Sequence, residues 1–126
     1  MGWVRIMTPL ETVNEFIRRI EARDVAAAVE LVSEDCEYDN VPMGKVFGRE
    51  AILGGLGPFV SVCDEVEWKV FREAENGHLV FNERFDRFGN NGKWIEVPVT
   101  GVWEVHDGLI TLWRDYFDLA TYRNQA

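Results

Sequence analysis

The sequence predicts an α+β fold in which N-terminal helices pack on one face of a curved sheet. Three observations carry this. Apolar residues recur at helical spacing from Val13 to Val32. From Glu65 onward they alternate with charged residues, the period of a strand. Gly-containing turns then cut this second half into consecutive antiparallel runs.

The first helix starts at Thr8-Pro9-Leu10-Glu11, where Thr caps, Pro suits the first helical position and Glu completes a capping box. Val13, Phe16, Ile17 and Ile20 form its apolar stripe, with Arg18, Arg19 and Glu21 outward. Asp24 caps a shorter helix carrying Val25, Ala28, Val29, Leu31 and Val32. Cys36 to Val41 reads as a short strand ended by Pro42. A third helix covers Glu50 to about Leu56 and frays at Gly54, Gly55, Gly57 and Pro58. Four antiparallel strands follow. They are joined by an Asn76-Gly77 turn, a Gly89-Asn90-Asn91-Gly92 loop and a His106-Asp107-Gly108 turn, and the last strand spans Leu109 to Leu119.

A length of 126 residues suits one domain covering 1–126, and an apolar fraction of 47% supplies a core without disulfides or metal. The net charge of −9 repels phosphate backbones and anionic lipid, so neither nucleic acid nor membrane is an expected partner. Cys36 and Cys63 are too few for a disulfide framework or a structural zinc site and read as small core residues. Residues Met1 to Met7 do not read as a signal peptide, and the expected location is the cytoplasm. His78 and His106, beside turns, read as surface residues.

Side chains two apart in a strand share a face. Asn82, Arg84 and Asp86 therefore point one way, as do Tyr38 and Asn40, and as do Trp113, Asp115 and Phe117. With a four-residue loop at Gly89–Gly92, Asp86 pairs with Ile95, Arg84 with Val97 and Asn82 with Val99. With a three-residue loop at His106–Gly108, Val99 pairs with Asp115 and Val97 with Phe117. Arg84 then lies between two carboxylates on an otherwise apolar face. A two-residue Asp107-Gly108 turn would instead send Asp115 to the opposite face. Burying two carboxylates and a guanidinium costs several kcal/mol per ion before pairing offsets it. The cluster is thus a structural ion-pair network that fixes register, a set of solvated edge residues, or a site. As a site, two acids sharing one Arg in a low dielectric should split into one ionised and one protonated group, as acid–base catalysis requires.

Tyr38-Asp39-Asn40-Val41-Pro42, Asn82-Glu83-Arg84-Phe85-Asp86, Gly101-Val102-Trp103 and Trp113-Arg114-Asp115-Tyr116-Phe117-Asp118-Leu119 resemble the limonene-1,2-epoxide hydrolase family. The resemblance implies an NTF2-like cone, with N-terminal helices packed on a strongly curved, mostly antiparallel mixed sheet. It also implies a homodimer and a one-step, cofactor-independent hydrolysis of an epoxide by water. It assigns Asp115 as the base, Tyr38 and Asn40 as holders of the attacking water, Asp86 as the acid and Arg84 as the bridge. The apolar surround suggests a small apolar epoxide, cyclic or terpenoid, walled by Ile17, Ile20, Val97, Val99 and Phe117.

On the other sheet face Phe81, Phe85, Trp94, Ile110, Leu112 and Tyr116 suggest a dimer interface. Two other functions fit the same fold class. One is a ketosteroid-isomerase-like enzyme, against which the Arg between two Asp argues. The other is a non-catalytic lipophile-binding or dimerisation module.

Overall fold

The computed structural model describes residues 6–126. The reading of Met1 to Met7 as lacking a signal peptide therefore lies mostly outside the described residues. Helix α1 (Pro9–Glu21) carries the expected capping box at Thr8 and Glu11 and buries Val13, Phe16, Ile17 and Ile20. Asp24 caps α2 (Val25–Val29) through the Ala27 amide. This helix is shorter than expected: Val32 already opens β1 (Val32–Asn40), which reaches four residues further back than Cys36.

Strand β2 (Gly44–Phe47) pairs antiparallel with β1. The sequence reading missed it because all four residues are exposed and carry no alternation. Helix α3 (Arg49–Ser61) runs through the glycines and Pro58 instead of ending near Leu56. Ile52 and Val60 are buried, and Leu56 and Phe59 pack beside them against the core. That anchoring outweighs weak local propensity and the amide missing at Pro58.

Strands β3 (Glu65–Asn76), β4 (Leu79–Asn90), β5 (Lys93–His106) and β6 (Leu109–Tyr116) form the antiparallel run. The six-stranded sheet has the order β2-β1-β6-β5-β4-β3. Among the described residues only the β1–β6 pairing is parallel, which makes the sheet mixed. A final helix α4 (Leu119–Arg123) begins where Asp118 caps the Thr121 amide, so the last strand stops at Tyr116, three residues short of the expected end.

All three hairpin turns differ from expectation. The β4–β5 connection is a two-residue Asn91-Gly92 turn with both φ angles positive, so Asn90 and Gly89 belong to β4. Pairing therefore shifts by two residues: Asp86 opposes Val97, Arg84 opposes Val99 and Asn82 opposes Gly101. A shift of two leaves every side chain on its expected face. The first hairpin turns on Gly77-His78, not on Asn76-Gly77.

The β5–β6 connection is the two-residue Asp107-Gly108 turn, which alone would reverse the face of Asp115. A bulge at Thr111 reverses it back, so Gly101 opposes Asp115 and Trp103 opposes Trp113. Ile110 precedes the bulge, and the two-residue turn sets it opposite Val105 inside the core, removing it from the expected outer patch. Phe81 and Tyr116 remain more than two-fifths exposed on that outer side.

Candidate active site

One row of Cα partners crosses four strands: Asn40 on β1, Asp115 on β6, Gly101 on β5 and Asn82 on β4. The next row inward contains Tyr38, Trp113, Trp103 and Val80. Its aromatic members stack. The Tyr38 and Trp113 rings lie 3.8 Å apart at 10°, and those of Trp113 and Trp103 lie 5.1 Å apart at 6°. Phe16 of α1 meets both tryptophans edge-on. This apolar slab is the floor on which the charged groups are held.

Arg84 is fully buried and all five of its N–H groups have acceptors. Nε and Nη2 donate to Asp86 at 3.0 and 2.9 Å. Nη1 and Nη2 donate to Asp115 at 3.2 and 3.1 Å. The remaining Nη1 hydrogen goes to Oδ1 of Asn82 at 3.0 Å. The guanidinium also lies 5.0 Å from the Trp68 ring and 5.7 Å from that of Trp103, which favours the cation. The expected bridge between the two acids is thus observed as geometry.

Two carboxylates around one guanidinium leave a buried excess of one negative charge, and a single proton removes it. Burial pushes the Asp86 carboxyl above the usual aspartate range, and the neighbouring Asp115 adds to this, while Arg84 opposes it. Burial opposes the Arg84 charge, but Asp115 and Asp86 outweigh it and keep the guanidinium protonated. Burial and Asp115 also raise the Tyr38 phenol, which stays neutral and donates to Asn40 Oδ1 at 3.0 Å.

Tyr38, Asn40, Asp86 and Asp115 open onto one cavity of about 320 Å³. Its walls come from α3 (Ile52, Leu56, Phe59), from Trp68 and Phe88, and from Met43, Val46 and Tyr122 near β2 and α4. Val97, Val99 and Phe117 line it as the sequence suggested. Ile17 and Ile20 do not line it. They sit in the core cluster with Phe16 and Trp113. The short sequence reading of α3 hid the helix that replaces them as a wall. Trp68 belongs to the core cluster and also lines the cavity. Its indole Nε1 is buried without a partner among the described residues.

A helix-backed mixed sheet with acids, an arginine and a tyrosine converging on an apolar cavity defines an NTF2-like enzyme fold. The comparisons narrow it further. Residues 7–126 match the model of the limonene-1,2-epoxide hydrolase catalytic domain. The chain is 32% identical over 114 residues to the Mycobacterium tuberculosis epoxide hydrolase EphG, covering 85% of this chain and 71% of that one. It superimposes on an M. tuberculosis LEH-like epoxide hydrolase with a TM-score of 0.83 at 28% identity, over 93% of this chain and 87% of that one. A hypothetical protein with a ketosteroid-isomerase-like fold from Catenulispora acidiphila shares the fold at a TM-score of 0.80 and 21% identity, over 94% and 93% of the two chains. The chain belongs to the limonene-1,2-epoxide hydrolase family, and epoxide hydrolysis is the general activity that this membership supports.

Proposed function

We propose that the protein hydrolyses a small apolar epoxide, cyclic or terpenoid, to a vicinal diol in one acid–base step without a cofactor. The observation that carries this reading is the Arg84 bridge, hydrogen-bonded to both Asp86 and Asp115 at the wall of an apolar cavity.

In the proposed step, Asp115 takes a proton from water as the water oxygen bonds to a ring carbon. The ring C–O bond breaks, and Asp86 delivers its proton to the departing oxygen. The number of protons on the pair is the same before and after, and exchange through the cavity mouth resets them. Tyr38 donates its hydrogen to Asn40, which leaves its own oxygen free to accept from the water and leaves Asn40 Nδ2 free to donate to it. Each proton-transfer partner typically contributes about 10²- to 10⁴-fold. Val97, Val99 and Phe117 supply the apolar wall beside the acids. The cavity volume of about 320 Å³ sits at the lower end for ligand pockets and favours a compact ring system.

The same proposal includes a homodimer through the outer sheet face, supported by exposed Phe71, Phe81 and Tyr116, with gel filtration as its check. It also includes a cytoplasmic location, supported by two buried, unpaired cysteines.

The test is diol formation from limonene oxide and cyclohexene oxide in ¹⁸O-water, beside a Δ5-ketosteroid control. A single turnover should place ¹⁸O in the diol. Unlabelled diol in the first turnover would mean an oxygen taken from the protein through an ester and would overturn the one-step mechanism. Isomerised ketosteroid without diol would favour the isomerase alternative.

A further inference from the structure

Resting on that reading, we infer that Asn82 and Gly101 are positioning residues for the reaction, together forming the berth that holds Arg84 between its two carboxylates. The sequence placed Asn82 on the right face but gave it no role.

Gly101 lies in the row between Asn82 and Asp115. Arg84, one step along β4, reaches back across it to Asp115. A Cβ at position 101 would collide with Arg84 Nη1 and Asn82 Oδ1 and would lie 2.8 Å from Trp103 Nε1. These neighbours are locked by mutual hydrogen bonds, so none can move aside without breaking one. The backbone of Gly101 has no positive φ, so its glycine is required by space and not by conformation.

Asn82 supplies the fifth acceptor. Its Oδ1 takes Arg84 Nη1 at 3.0 Å and Trp103 Nε1 at 3.2 Å, which fixes the amide orientation. Its Nδ2 has no partner among the described residues. The amide oxygen is therefore what the site uses, and its neutrality sets the charge count. An acceptor that was itself ionised would add a third negative charge around one guanidinium. The other charged or titratable groups near this cluster are few. Arg84 and Asp86 come from β4, Asp115 from β6 and Tyr38 from β1. Glu21 of α1 accepts the Trp68 amide at 3.0 Å, and Glu73 on β3 is exposed and accepts from Asn14.

Asn82→Asp keeps shape and loses no hydrogen bond, so it changes charge alone. Like charge disfavours ionisation. The alkaline limb of the pH–rate profile for cyclohexene oxide should move to higher pH, with KM nearly unchanged. Asn82→Leu and Gly101→Ala should each lower kcat by at least about tenfold with a smaller effect on KM, since both misplace Arg84 without touching the apolar walls. Arg84 Nη resonances in ¹⁵N NMR give a readout independent of turnover. They should be distinct and restrained in the wild type and averaged in Asn82→Leu. An unshifted profile in Asn82→Asp, with restrained Arg84 signals and near-normal kcat in Asn82→Leu, would overturn the inference. A wild type that makes no diol would defeat the proposed function instead, and the Arg84 signals alone would then decide whether the berth exists. Unfolding of Gly101→Ala would leave both Asn82 arms of the test intact.

Discussion

Arg84 and Arg87 stand three residues apart on β4, on opposite faces, and each joins two carboxylates. Arg87 donates to Glu96 at 3.0 Å and to Glu67 at 3.3 Å, and it lies 4.2 Å from the Trp94 ring. Its side chain is about three-tenths exposed, and its partners are more exposed still. Arg84 makes the same kind of contacts with no exposure at all. Outside, water stabilises each charge separately and the bridge changes little. Inside, each ion has lost its water, so removing any one leaves the others uncompensated. The outer arginine decorates the sheet. The inner one stores an imbalance of charge that one proton resolves.

The largest expected effect comes from Asp115→Asn, which should lower kcat/KM for epoxide opening by about 10³-fold or more by removing the base. Asp86→Asn should cost at least about a hundredfold and should flatten the alkaline limb of the pH profile, because that limb reports loss of the acid proton. Both are read by diol formation, and near-normal turnover in either variant would remove its assigned role.

Arg84→Met should destabilise the fold by about 3–5 kcal/mol at neutral pH, measured by urea unfolding, because the buried Asp86 and Asp115 lose the guanidinium that pairs with both. Arg87→Met should leave kcat within about twofold and lower the melting temperature only slightly. An equal stability loss in the two variants would erase the contrast between the faces.

A pH effect on stability follows from the raised Asp86 carboxyl. The folded protein holds this proton to higher pH than the unfolded chain does. Stability from this group is therefore complete below the ordinary aspartate value and is lost as pH rises through the folded one. Melting temperature in Asp86→Asn should lack that decline.

Much of the site was legible because the strand period is insensitive to a register error of two. Asn82, Arg84 and Asp86 stayed on one face although the Asn91-Gly92 turn was read as a longer loop. Asp115 was a harder case. Its face depended on a two-residue turn and on the Thr111 bulge, and the bulge has no signature in the residue pattern. The same two-residue turn sets Ile110 opposite Val105 in the core, off the outer face where the strand pattern places it as part of a dimer interface. Pocket walls were less legible than the floor. Helix α3 persists through glycines and Pro58 because of tertiary packing, which local propensity does not contain. Strand β2 forms by pairing with β1, so its four exposed residues show no pattern of their own. The need for glycine at position 101 appears only when the Arg84 side chain is placed over it.

The most direct test of the central claim is the ¹³C titration of the Asp86 carboxyl in the wild-type protein. Asp86 should keep its proton well above the pH at which an exposed aspartate ionises, while Arg84 stays charged beside it. Ionisation of Asp86 within or below the ordinary aspartate range would leave the site without its acid and would contradict the account.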